Sequence, residues 1–308
     1  MTDISRFPVP PALVGERVDV ALSRLIGLSR TKSADLIDLG AVTLAGKPVN
    51  RSHRLLESDV LEVDLGRSAP AAENLEPQVG IAVLYEDEDL VVVDKPVGMA
   101  AHPSPGWRGP TVVGSLRFLG ISLASVGAAE REGVVHRLDA GTTGVMVVAK
   151  SVAAYTGLKE QFRQREVEKI YHTLVQGHPD PSRGTIDAPV GRHPRHEHRF
   201  AVVTAGRDAV THYETIEAFR RASLLAIRLE TGRTHQIRVH MSAVHHPCCG
   251  DLVYGADPRL ADDLGLERQW LHAVELGLRH PITGSSMRFR SEYPADLADA
   301  LTRCRGWS

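Results

Sequence analysis

The chain has 308 residues, 43% of them hydrophobic and 24% charged, with a net charge of −2. This globular composition suits one large catalytic domain plus an accessory one, excludes a simple polycation, and contains no apolar run near the roughly 18 residues of a membrane span. The three cysteines, Cys248, Cys249 and Cys304, are odd in number and two are adjacent, which excludes a disulfide framework; with no signal-peptide pattern at the N-terminus, a reduced, cytoplasmic protein is expected.

Residues 1–16 read as an N-terminal tail and residues 17–65 as a small α/β unit. Val18, Ala21, Leu22 and Leu25 recur at helical spacing, and Ser29 is placed to cap a second helix running to Leu39. Gly40 suits the left-handed residue that ends a helix. Val42–Leu44 reads as a strand, Ala45–Lys47 as a turn, and Val60–Leu65 as a closing strand with Leu61, Val63 and Leu65 alternating. Arg17, Arg30, Lys32, Arg51 and Arg54 are candidates for one positive face. Residues 66–80 lack periodicity, contain two prolines and read as a linker.

Residues 81–308 form the second expected domain. Ile81–Tyr85 and Leu90–Asp94 read as a strand pair around an acidic turn, and Val145–Ala149 as a buried strand. Ser151 can cap a helix with Ala154, Leu158 and Phe162 on one face. Ile170–Val175, Val210–Ile216 and Leu224–Leu229 read as further strands, and Thr234–Val244 as a helix. The fold class is therefore α+β, with a large mixed, mostly antiparallel sheet. No strand leads into a Gly-x-Gly-x-x-Gly turn, which argues against a dinucleotide fold.

Charge is unevenly distributed. Residues 219–242 hold Arg220, Arg221, Arg228, Arg233 and Arg238 against Glu230 alone, and residues 192–199 are rich in Arg and His. A locally basic cleft on a neutral protein is compatible with RNA. Asp139 follows a short apolar entry and precedes a loop with Gly141 and Gly144. Rigid scaffolds present functional carboxylates in this way, although taken alone a loop Asp beside two threonines is more often a turn residue bonding its own backbone. His193, His196 and His198, and the run His245–Cys249, lack the spacing of a zinc site, so no metal is expected.

The segment His136-Arg-Leu-Asp139, followed by Thr142-Thr-Gly144, resembles the signature of the RluA/RluD family of RNA pseudouridine synthases. Tyr85–Gly98, Lys169–Gly177, Glu230–Met241, Gly250-Asp251, Tyr254-Gly255 and Leu271–Ala273 resemble the remaining motifs, in family order, over about residues 81–290. Many members have Ser where this chain has Thr143; the hydroxyl is retained. Residues 17–65 resemble the S4 RNA-binding domain through Arg17–Leu22, Leu28–Ser33, Gly40–Gly46 and Ser58–Val63, with Ser58 and Ala45 departing from the usual Gly and Asn.

The resemblance implies an isomerase that detaches uracil from C1′, turns it over and rejoins it through C5, without a cofactor. Asp139 is implied as the catalytic carboxylate, attacking C1′ or removing a proton at C2′, with Arg238 as its ion-pairing partner and Tyr171 and Leu271 on the two sides of the base. His136, Arg137, Thr142 and Arg233 are expected to contact substrate, Arg137 by helping to expose the uridine. Arg17, Arg30, Lys32 and Arg51 are expected to meet RNA from the S4-like unit. The expected partner is RNA, of the 23S-type ribosomal class or a pre-ribosomal particle, and the expected state is a monomer. A non-catalytic ribosome-assembly factor is the runner-up reading. A sugar hydrolase pairing Asp139 with a second acid such as Asp94 would require a cleft without basic walls.

Overall fold

The computed structural model describes residues 4–26, 30–64, 80–104, 107–126, 131–196 and 199–307, except the side chains of Arg30, Thr31, Lys32 and Asp35. The chain divides into two compact units, Met1–Leu75 and Glu76–Ser308.

The first unit contains β1 (Ile4–Pro8), α1 (Val18–Ile26), α2 (Arg30–Asp38), β2 (Val42–Leu44), β3 (Lys47–Pro48) and β4 (Val60–Asp64). Its antiparallel sheet runs β1-β4-β2-β3. Val18 and Leu22 of α1 close over Leu55, Leu61 and Val63, all fully buried. Residues 1–16 are thus not merely a tail: Ile4–Pro8 pairs along the whole of β4, and Val9 and Leu13 enter the core. Strand formation here was not legible because Ile4–Pro8 is an edge strand with no fully buried side chain. Gly40 has φ +65°, as a helix-ending glycine requires. The expected cap Ser29 and the linker over 66–80, apart from Gly80, lie outside the described residues.

The second unit contains β5 (Ala82–Glu86), β6 (Leu90–Lys95), α3 (Val112–Phe118), β7 (Thr143–Ala149), α4 (Val152–Gln164), β8 (Glu168–Gln176), β9 (Arg183–Asp187), β10 (Val190–Arg192) and β11 (Phe200–Val202). It continues with β12 (Val210–Ala218), β13 (Ala222–Leu229), α5 (Gln236–Ala243), α6 (Pro258–Leu264), β14 (Leu271–Arg279), β15 (Ser286–Arg290) and α7 (Ala295–Arg305). Nine strands form one sheet, ordered β5-β6-β7-β14-β8-β13-β12-β9 with β15 paired to β14; β10 and β11 form a separate hairpin. The β7–β14 pair is parallel and the other strand pairs are antiparallel, the mixed sheet expected.

The sheet is covered on both faces, which explains the continuous apolar runs in β6 and β7. Met146 and Val148 pack with Val91, Val93, Tyr171 and Leu225 on one face. Val145, Val147 and Ala149 pack with Leu90, Val92, Leu158 and Leu276 on the other. Ser151 caps α4 by accepting the Ala154 N–H. Among the described residues no helix is long and apolar enough to cross a membrane.

Candidate active site

Asp139 lies in the loop that leads into β7, and this loop is held mainly by its backbone. The Thr142 N–H donates to the Asp139 carbonyl at 2.9 Å, and the Gly98 N–H to the Ala140 carbonyl at 2.9 Å. The Lys95 ammonium is fully buried and donates to the carbonyls of Met99 (2.8 Å) and Pro96 (3.0 Å), with Ala140 at 3.5 Å. Burial lowers the Lys95 pKa to about 7, against the opposing pull of Asp139 and Asp94. From the other side, Arg268 donates to the Gly141 carbonyl at 2.8 Å while its fork is held by Asp296 of α7. At Gly144 (φ +114°) an added Cβ would lie 2.2 Å from the Ala273 carbonyl oxygen, so only glycine lets β7 and β14 meet there.

Arg238 reaches Asp139 from the first turns of α5, Nη1 to Oδ2 at 3.3 Å. Its remaining donors are clamped by the buried Asp251, Nε to Oδ2 at 2.6 Å and Nη2 to Oδ1 at 2.9 Å. The Tyr254 ring lies 4.9 Å from the guanidinium carbon. Burial opposes the Arg238 charge, but the Asp251 hydrogen bonds and charge, with Asp139 behind them, outweigh it and raise the pKa. His235 precedes α5 in the left-handed region (φ 57°). Its Nε2 lies 3.9 Å from Asp139 Oδ2, and its Nδ1 shares a 2.7 Å hydrogen bond with the Tyr254 hydroxyl. Gln236 locks the same turn, accepting from Thr231 Oγ1 and the Arg233 N–H and donating to the Val210 carbonyl.

Tyr171 on β8 and Leu271 at the start of β14 wall a cavity of about 60 Å³, which Asp139, Arg238 and His235 also line. Burial, reinforced by the Asp139 charge, raises the Tyr171 pKa. Arg137, Tyr171 and Arg233 are shared with a wider groove of about 710 Å³, whose lining among the described residues includes eight lysines and arginines and one acid, Glu230. A carboxylate pocket opening from a basic groove fits a polyanionic substrate that offers one nucleotide to the pocket.

A profile of the family described as RNA pseudouridylate synthase matches residues 89–243. The chain belongs to this family. It is 57% identical to an uncharacterized RNA pseudouridine synthase of Mycobacterium bovis, over 97% of this chain and 98% of that relative. It is 40% identical to ribosomal large subunit pseudouridine synthase D of Pseudomonas aeruginosa, over 96% of this chain and 94% of that one. Among solved structures it is similar to human RNA pseudouridylate synthase domain containing 4, with TM-score 0.57 and 28% identity, covering 73% of this chain and 93% of the human one. The protein is accordingly an RNA pseudouridine synthase, an isomerase with RNA as substrate.

The synthase brings Asp139, Tyr171, Arg238, Leu271, Arg137, Arg233 and Thr142 to one cavity. Arg137 is exposed and has no hydrogen bond or ion pair among the described residues, whereas Arg233 donates to the Asp208 carbonyl at 2.9 Å. Two of the expected substrate contacts are also bound to the protein's own frame. His136 borders the wide groove, but its Nε2 accepts the Val147 N–H at 3.1 Å and its ring stacks on Phe162, so it braces β7. Burial drives its pKa down to about 3 and keeps it neutral. The Thr142 side chain is buried and its hydroxyl accepts from Gln269 Nε2 at 3.3 Å, so it fastens the loop. Arg17 and Arg51 of the first unit are engaged by Asp19 and Asp38 rather than standing as free cations; the Arg30 and Lys32 side chains lie outside the described residues.

Asp251, Tyr254, His235, Lys95 and Arg268 received no role from the sequence. All but Arg268 stand inside the matching motifs, and that membership was the available signal. The His and Cys runs do not assemble into a ligand set among the described residues. The group with metal-like spacing is Asp87, Asp89 and His280, where Asp87 already accepts from two backbone N–H groups and Tyr85 and bonds the His280 ring.

Proposed function

We propose that this synthase isomerises specific uridines of large-subunit ribosomal RNA, free or in a pre-ribosomal particle, with Asp139 as its catalytic carboxylate. The observation that carries this reading is the position of Asp139: in a cavity walled by Tyr171 and Leu271, beside a clamped Arg238, at the end of a basic groove. The relatives named for the ribosomal large subunit support the substrate class.

In this reading the target uridine leaves its stack and enters the cavity, with Arg137 at the mouth assisting its exposure. Tyr171 and Leu271 hold the two faces of the uracil. Asp139 acts at the sugar, either by attack on C1′ or by taking the C2′ proton. The C1′–N1 bond breaks, the base turns over, the C1′–C5 bond forms, and the C5 proton is exchanged for one on N1. Arg238, fixed by Asp251, supplies a permanent positive charge beside the carboxylate. The basic walls of the groove disfavour the sugar-hydrolase alternative. The first unit is proposed as an S4-like RNA-binding accessory.

The test is to incubate the wild type and Asp139→Asn with large-subunit ribosomal RNA lacking pseudouridine and to map the product at nucleotide resolution. Asp139-dependent conversion at one or a few sites is expected. Conversion that survives in Asp139→Asn would remove the carboxylate role; absence of conversion in this RNA, with conversion in a parallel incubation of unmodified transfer RNA, would overturn the substrate class.

A further inference from the structure

Lys169 stands out in the groove wall. Its side chain is 7% exposed, and among the described residues it forms neither a hydrogen bond nor an ion pair. Its ammonium lies 5.9 Å from the centre of the Phe162 ring, and the residue lines the wide groove. The charged groups around it are mostly of its own sign. Arg165 at the end of α4 and Arg233 in the β13–α5 connection act on its charge, and Arg163 and Arg137 line the same groove. The nearby acid, Glu230, is taken by Arg165 at 2.8 Å and His212 at 2.8 Å. A buried cation among cations is unfavourable unless an anion arrives.

Lys169 and Tyr171 are two residues apart on β8 and share a face of the sheet, roughly 7 Å from one another along the strand. We propose that Lys169 is a phosphate-binding residue: it receives a backbone phosphodiester of the RNA about one nucleotide step from the uridine held against Tyr171, and so fixes the register in which the strand enters the cavity. This deepens, and rests on, the reading that the groove carries RNA to Asp139. Ammonium to phosphate oxygen is a charge-assisted contact, stronger in this sheltered wall than at an open surface.

The ammonium has a distinctive titration. Burial, with Arg165 and Arg233 behind it, lowers the Lys169 pKa to about 8. The groups facing it do not titrate in that region: arginines stay charged, His136 is pushed to about 3, Tyr171 is pushed up, and Glu230 is lowered. A bound phosphate favours the charged form, so affinity for RNA is full below pH 7 and falls as pH rises through 8.

The experiment measures binding of a 12-mer oligouridine by fluorescence anisotropy from pH 6.5 to 9.5 and from low to moderate salt. The proteins are the full-length wild type, Lys169→Arg and Lys169→Gln, each checked for folding by thermal melting. Wild-type affinity should fall about tenfold between pH 7 and 9, whereas Lys169→Arg should stay nearly flat. Lys169→Gln should be weaker at pH 7, flat with pH, and have a salt slope smaller by about 0.7, the value of one phosphate contact on a single strand. A wild-type profile that is flat, or that Lys169→Arg reproduces, overturns the Lys169 proposal while leaving the groove in place. Failure of the wild type to bind the oligonucleotide at any pH overturns both. The wild-type profile does not depend on how any variant folds.

Discussion

Arg238 commits two of its nitrogens to Asp251 and one to Asp139. The clamp makes Asp251 a positioning residue for the proposed chemistry. Asp251→Asn keeps the volume but releases the fork, and kcat should drop by about 10–100-fold, as when other orienting groups are removed, with RNA affinity little changed. Single-turnover kinetics beside a binding titration separates the two effects. For Tyr171, removal of the ring should matter more than removal of the hydroxyl. Tyr171→Ala should weaken substrate binding by about 1–3 kcal/mol of lost stacking, read in KM, while Tyr171→Phe retains that contact. The raised Tyr171 pKa means that its O–H stays protonated to above the usual value near 10. The pH–rate profiles of the wild type and Tyr171→Phe should therefore have the same shape between pH 6 and 9; a basic-limb break present only in the wild type would contradict this. Asp139 and Arg238 were legible because a motif names them by position. The ties that hold His136 and Thr142 were not legible, because a motif does not say which of the protein's own groups a side chain bonds: His136 accepts from the Val147 N–H and Thr142 from Gln269, while His136 lines the groove and Thr142 the cavity.

The loop at Asp139 is secured by donors from three elements: Lys95 at the end of β6, Gly98 just beyond it, and Arg268 before β14. Arg268→Met should loosen the loop while leaving the sheet intact, lowering kcat more than the melting temperature. Gly144→Ala acts on the sheet itself. Its Cβ would collide with the Ala273 carbonyl at a φ of +114°, so stability should fall by roughly 3 kcal/mol or more, measured by chemical denaturation. Strands β6, β7, β8, β12 and β13 were legible as apolar runs or alternations. Strand β14 was not, because burial on both faces falls on polar as well as apolar residues: His272 and Glu275 are buried beside Leu276 and Leu278. Glu275 is made tolerable there by Arg288 and Arg290 from β15, a pairing between distant segments that no local pattern reveals.

Each of the two units has its own core, ten buried residues in the first and larger clusters in the second. A unit of 75 residues buries proportionally less surface than its larger neighbour and is the more marginal of the two. Calorimetry should show two transitions, the smaller unit melting first; a single transition matching the van't Hoff enthalpy of the whole chain would contradict this. Composition indicated the scale of the molecule but not its electrostatics. A net charge of −2 conceals a groove lined, among the described residues, by eight cationic side chains and one acid, because the segments that build it lie far apart in the chain.

The position of β14 has a consequence for how the protein is made. Strands β7 and β8 are joined through α4, yet they are not neighbours: β14 lies between them and unites β5-β6-β7 with β8-β13-β12-β9. A nascent chain that ends before Arg268 therefore holds two half-sheets with open edges, and it lacks both the Arg268 contact with Gly141 and the cavity wall at Leu271. The pocket forms only after β14 has emerged, a long-range closure of the slow kind. Chains cut short before Leu271 should therefore isomerise no uridine, even where the first unit has already folded.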